Sequence, residues 1–137
     1  MELQGAIGIE QLKKLDGFLD IRRKNAQHFV DLFKNDERFI IQHEVGESAW
    51  FCFTMIVKPG QALTREKVLT ALKKANIEYR IITGGNFLRH DVIKYFDYLV
   101  TKSSNADLAH DNGFFIGNHP IDLKDQIHLL YKVLQDI

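Results

Sequence analysis

AWFCFTMIVK, residues 49–58, is the stretch from which the fold of this chain can be read. Its β-branched, aromatic and sulfur-bearing side chains run for the length of a strand until Pro59–Gly60 stops them, as in a strand buried by neighbours. Downstream, Thr64 stands where a helix cap is wanted, and Val68, Ala71, Leu72 and Ala75 fall on one face of the helix that follows. Ile77–Ile82 reads as another strand, so the centre of the chain is a strand–helix–strand unit. Upstream, beyond Asn35–Asp36, Phe39–His43 has the composition of a short strand.

Further out, apolar residues recur at helical spacings. The first 35 residues read as helix in two pieces, with Leu12, Leu15, Leu19, Ala26, Val30 and Phe33 on one stripe and a kink expected at Gly17. The charges Lys13, Lys14, Arg22, Arg23 and Lys24 lie largely off that stripe and read as a solvated face. The opening LQGAIGI carries no capping residue, and Gly5 and Gly8 are costly in a helix unless another helix or subunit packs closely on them. Residues 83–100 are irregular and then aromatic, with Tyr95, Phe96 and Tyr98. SSNADLAHDNG, residues 103–113, is a short helix with Ser104 as its expected cap and Gly113 as its stop, and Phe114–Gly117 is a short strand. Asp122 caps a last helix on which Leu123, Ile127, Leu130, Leu134 and Ile137 repeat at helical spacing. The expected fold class is α+β: a small, mostly antiparallel sheet with helices packed on one face.

The chain has 137 residues, enough for one domain with its own core, and 45% of them are hydrophobic. Eighteen basic residues balance eighteen acidic ones, which argues against a general nucleic-acid binder. The single cysteine, Cys52, excludes an internal disulfide framework and an iron–sulfur cluster held by this chain alone, and fits a reducing, cytoplasmic setting. No apolar run reaches the roughly 20 residues that span a bilayer, so no membrane partner is expected.

No Walker loop, HExxH, CxxC or GxSxG string occurs in the chain. Six histidines show no i,i+4 pair and no carboxylate at a metal-site spacing, so no metal centre is expected. Cys52, between Phe51 and Phe53, reads as a buried inert thiol, and Trp50 and Phe51 as core or interface residues. The loop Thr83–His90 stands out: Gly84 and Gly85 let backbone amides approach a ligand, while Asn86, Arg89 and His90 offer three kinds of donor. A solvated turn explains the same residues. Gly117–Asn118–His119–Pro120 is a second tight polar turn, ahead of the last helix, and the two turns could face each other. No nucleophile–base–acid set emerges from spacing, and no catalytic residue is assigned.

Three strings carry a resemblance. LQGAIGIEQLKKLDGFLDIRRKNA (residues 3–26), TGGNFLRHDVIKYFDY (83–98) and NADLAHDNGFFIGNHPIDLKDQIHLLYKVL (105–134) together resemble the C-terminal part of the DegT/DnrJ/StrS family of pyridoxal-phosphate enzymes, which act on nucleotide-linked sugars. The Gly-Asn-x-x-Arg pattern at Gly85, Asn86 and Arg89 is similar to the branch containing the sugar 3-dehydratases of lipopolysaccharide O-antigen synthesis. The iron–sulfur branch is disfavoured, because one cysteine cannot supply its cluster.

The resemblance implies the small C-terminal domain of a fold-type I enzyme. Residues 1–35 are then a helical segment leading to a missing N-terminal cofactor domain, and residues 36–137 the small α+β domain. The Schiff-base lysine, or the histidine that replaces it in one dehydratase, the phosphate-binding turn and the aspartate facing the pyridine nitrogen are expected upstream. No cofactor-binding residue is assigned here. The cofactor implied is pyridoxal or pyridoxamine phosphate (PLP or PMP) in the full-length enzyme, with none held tightly by this chain alone. The substrate implied is a nucleotide-linked 4-keto-6-deoxy sugar, the reaction 3-dehydration or transamination, and the assembly a homodimer. By position the expected substrate-binding residues are Arg80, Asn86, Arg89 and His119: the arginines for anionic or hydroxyl-rich groups, Asn86 for sugar hydroxyls, and His119 to line or close the pocket. A second class stays open, a stand-alone small-molecule-binding or dimerisation module without catalysis, and sequence upstream of Met1 separates the two.

Overall fold

Phe53, Met55 and Val57 are buried while Cys52, Thr54 and Ile56 between them are half-buried, so β2 (Cys52–Val57) presents one face to a core. The computed structural model describes residues 2–100 and 102–137; Met1, the first residue of the 1–35 segment, and Thr101 lie outside them. Antiparallel ladders join β2 to β1 (Phe39–Ile41), with Phe39 opposite Val57, and to β4 (Gly113–Gly117), with Thr54 opposite Phe115. On its other side β4 pairs antiparallel with β3 (Arg80–Ile81), giving the order β1-β2-β4-β3. The strand–helix–strand unit is therefore split: β2 and β3 run parallel, with β4 inserted between them.

Helices α2 (Leu15–Phe33), α3 (Arg65–Lys74) and α5 (Lys124–Gln135) contribute the other half of the core. Phe29 and Phe33 of α2, Val68 and Leu72 of α3, and Ile127, Leu130 and Leu134 of α5 are all buried in one cluster with Phe53 and Met55. The Phe29 and Phe53 rings stack with centroids 4.7 Å apart. Thr64 accepts a hydrogen bond from the Lys67 amide, as a cap should. Helix α4 (Ser104–Asn112) contacts β2 and β4 and runs directly into β4 at Gly113. A side chain at Gly113 would collide with Ile82 and the Ala109 carbonyl, so the junction requires glycine.

Several local details differ from these expectations or add to them. The first helix breaks at Lys13–Lys14, between α1 (Glu2–Leu12) and α2, and not at Gly17, which lies inside α2. Nothing packs within 4 Å of a Cβ placed on Gly5 or Gly8, and α1 buries no residue against the rest of the described chain. Only Arg80–Ile81 of the expected Ile77–Ile82 strand pairs, because β4 is met there alone. The α4 cap position belongs to Ser103, with no side-chain cap bond. Asp122 does accept from an α5 amide, that of Lys124 at 3.0 Å, although Leu123 occupies the cap position. Trp50 and Phe51 part company: Trp50 is buried and Phe51 is 72% exposed.

The C-terminal end of α5 is held by Arg38, whose Nη1 donates to the Leu134 carbonyl at 2.7 Å, while its Nε and Nη2 grip Asp36. The Arg38 side chain beside it holds the Asp36 carboxyl below the usual carboxylate range. A lowered folded-state pKa means that the unfolded chain takes up the proton first as the solution is acidified, so the contribution is complete above about pH 5 and fades below about pH 4. Asp36→Asn is accordingly expected to cost about 1–2 kcal/mol at pH 7 and to flatten the acid limb of a urea-midpoint profile. A limb as steep as in the unmutated chain rules this out. At the α2–α5 contact, His28 meets His128 with ring centroids 4.7 Å apart. Burial, followed by the charge of His128, pushes the His28 pKa down.

Candidate functional site

The turn that follows β4 is shaped by two buried asparagines. Asn25, on α2, donates from Nδ2 to Asn118 Oδ1 at 3.1 Å and to the carbonyls of His119 and Ile121 at 3.2 and 2.8 Å, and accepts from the Leu123 amide at 3.1 Å. Asn118 donates from Nδ2 to the carbonyls of Arg22 and Trp50, at 3.0 and 2.9 Å. Trp50 has a φ of 44°, strained for so bulky a side chain, and that bond helps hold it. Together these bonds fix Gly117–Leu123 against α2 and set the backbone of His119.

Beside this turn, a groove of about 550 Å³ opens between β4, the Ile77–Arg80 segment and α5. Its polar side chains include Arg22, Glu78, Arg80, His119 and Gln126, and Phe51 and Phe115 supply aromatic surface. Two guanidiniums and an imidazole beside exposed ring faces suit a ligand with an anionic group and a flat base. Arg80 Nη2 donates to Glu78 at 3.0 Å, an exposed pair that costs little to open.

The structure thus brings Arg80 and His119 to one groove. Asn86 and Arg89 lie apart from it, against α4. Asn86 is buried, and its side chain is engaged within the chain: Oδ1 accepts from the Leu88 amide at 3.0 Å, and Nδ2 donates to Ser103 Oγ at 3.3 Å and Asp107 Oδ1 at 2.8 Å. Asn86 shapes its own turn, capping the 3₁₀ turn Phe87–Arg89. Arg89 donates to Asp111 at 2.5 Å. Sequence reasoning missed Asn25, which no motif singles out, and Arg22, which reads as part of a solvated helix face. No lysine lines the groove, and its donor set fits a substrate anion better than a cofactor aldehyde. Among the described residues, no cluster of three or more His, Cys, Asp or Glu could hold a metal ion, and no helix is long and apolar enough to cross a membrane.

Four antiparallel strands covered by three helices, with a cationic groove at the end of the inserted strand, make this an α+β domain of the kind found in fold-type I aminotransferases. The chain belongs to the DegT/DnrJ/EryC1/StrS aminotransferase family, which it matches over residues 1–128. It is 48% identical to the GDP-4-keto-6-deoxy-D-mannose 3-dehydratase of Escherichia coli O55:H7 and 45% identical to that of Yersinia pseudotuberculosis, in each case over 98% of this chain and 35% of the relative. The solved E. coli 3-dehydratase with bound hydrated PLP superposes with a TM-score of 0.93 at 49% identity, over 97% of this chain and 35% of that one. S. venezuelae DesV in complex with a ketimine intermediate gives a TM-score of 0.82 at 12% identity, a likeness of fold alone. The chain spans 35% of the length of the two 3-dehydratases.

Proposed function

We propose that this chain is the substrate-facing C-terminal part of a PLP- or PMP-dependent enzyme that removes the 3-hydroxyl of a GDP-linked 4-keto-6-deoxy sugar in lipopolysaccharide biosynthesis. The observation that carries the reading is the 48% identity to a 3-dehydratase over nearly the whole chain. Residues 1–35 are the helical segment leading to the cofactor domain, its second helix α2 packed into the core of the small domain of residues 36–137. The exposed apolar residues of α1, Leu3, Ile7, Ile9 and Leu12, support contact with such a neighbour. The assembled protein is a cytoplasmic homodimer.

The cofactor supplies the electron sink and is held by residues upstream. This chain's residues bind and orient. Arg80 draws the anionic or hydroxyl-rich part of the substrate into the groove with its fixed fork of donors, once Glu78 releases it. His119, on a backbone fixed by Asn25, lines the groove and excludes water. Arg89, freed from Asp111, reaches the substrate from the α4 side. Asn86 acts as a positioning residue: it sets the loop that carries Arg89 and gives up its own bonds only if the loop opens to a sugar hydroxyl.

A chimera tests this. Replacing the matching C-terminal part of the E. coli enzyme by this chain is expected to preserve turnover of GDP-4-keto-6-deoxymannose, and Arg80→Ala in the chimera to raise KM about tenfold. The chain alone, mixed with cofactor and substrate, is expected to give no turnover. A folded, cofactor-loaded chimera without dehydration, one that instead transaminates, or activity of the chain alone overturns the proposal.

A further inference from the structure

Two histidines that the proposed reaction does not use meet where α2 packs on α5. The rings of His28, on α2, and His128, on α5, lie edge to face with centroids 4.7 Å apart and planes inclined at 61°. His28 is half-buried, and its Nε2 is screened from solvent with no hydrogen-bond partner among the described residues. A neutral ring tolerates that setting, whereas a charged ring carries a hydrogen on both nitrogens and needs an acceptor at each. The groups that face His28 are His128 and Lys124 of α5, Asp31 of its own helix, and Asp122 of the turn ahead of α5. Burial, His128 and Lys124 oppose its charging more strongly than the two carboxylates favour it.

The pair sits beside a polar anchor of the same helix contact. Asn25, three residues before His28 and so on the same side of α2, holds Asn118, the carbonyls of His119 and Ile121, and the Leu123 amide ahead of α5. Beyond the pair, Leu130 and Leu134 fix α5 in the core and Arg38 holds the Leu134 carbonyl. The turn on the near side is less firmly seated, since His119, Ile121 and Asp122 are exposed. A parting of the two helices at the histidines therefore falls on the Asn25 bonds, which are the ones that set the backbone of His119.

We propose that His28 and His128 form an acid-sensitive catch between α2 and α5, closed while the rings are neutral, whose opening frees the turn at 118–123 and with it the backbone of His119. The catch goes beyond the reaction proposed above and does not depend on it. Its direction follows from linkage. The folded-state pKa of His28 lies below the ordinary histidine value of about 6.5, so the ring in an opened segment takes up a proton first as the pH falls. The catch is accordingly closed above about pH 7 and weakens progressively below it. Two charged rings in contact, with Lys124 beside them, then push the helices apart.

The test is amide hydrogen exchange of the full chain followed by NMR from about pH 7.5 to about pH 5.5, each amide normalised to its intrinsic rate, with the histidine ring resonances titrated alongside. The Leu123 amide, which donates to Asn25, is expected to lose protection about tenfold over that range, while amides of the β2–β4 ladder hold theirs. The His28 ring is expected to titrate below the ordinary histidine range. His28→Gln is expected to abolish the loss and His128→Gln, at an exposed position, to reduce it at least about threefold. His43→Gln, whose ring is not among the groups facing His28, is expected to leave it unchanged. If His28→Gln fails to fold, the His128 variant decides. A loss shared equally by the ladder amides marks global unfolding and overturns the catch. So does a loss untouched by His128→Gln, or a His28 ring that titrates as an ordinary histidine.

Discussion

Asn25→Ala is expected to lower the unfolding free energy by about 3–4 kcal/mol, measured by urea denaturation. The substitution removes four hydrogen bonds, and the loss is asymmetric: the Leu123 amide and the oxygens of Asn118, His119 and Ile121 stay where they are and lose their partner. Each buried polar group left unmatched costs about 1–3 kcal/mol, moderated where water can enter. Asn25→Asp keeps the size but sets a carboxylate against three oxygen acceptors, and is expected to cost at least as much as alanine. A cost below about 1 kcal/mol for both variants contradicts this account. The same variants should loosen His119, so in the chimera described above a folded Asn25→Ala protein is expected to lose substrate affinity more than cofactor affinity.

Phe29→Ala is the second large effect, expected at about 3–5 kcal/mol. Phe29 is fully buried, stacks on Phe53 and leans on Phe33 at 4.9 Å, so truncation opens a cavity between α2 and the sheet that two rigid rings cannot fill. Phe51→Ala, two positions from Phe53 along the chain, is the contrast: at 72% exposure it should change stability by no more than about 0.5 kcal/mol. If the two variants melt alike, the face assignment of β2 is wrong.

That contrast also shows where sequence reading reaches its limit. The run at 49–58 reads as a strand because it is almost continuously apolar, rich in β-branched and aromatic side chains and stopped by Pro59–Gly60, and the faces of α3 and α5 are legible from apolar residues at period 3.6. Phe51 sits one residue outside the ladder, beyond the left-handed Trp50, and nothing in its own type records which side of that twist it occupies. The candidate site was legible in part. Arg80 and His119 were named from the sequence, and the folded chain sets both in one groove, although 39 positions separate them. Asn86 was named as a ligand group, yet its bonds run to Leu88, Ser103 and Asp107; an amide suits a sugar hydroxyl and a turn equally, and only distance separates the two. Asn25 gave no signal, because a polar residue amid a charged helix face looks solvated until the turn at 118–123 folds onto it.

The insertion of β4 between β2 and β3 has a consequence for synthesis. As the chain leaves the ribosome, β3 emerges before the strand it pairs with among the described residues, Gly113–Gly117, which follows about thirty residues later. Loops of that length must close before either neighbour is satisfied, and such non-local pairing is slow. Until then the edge of β2 and the apolar faces of α2 and α3 stay open to water and to other nascent chains. β4 and α5, which close the sheet and the core, are the last elements of the domain to emerge, so the domain becomes native late in its own synthesis.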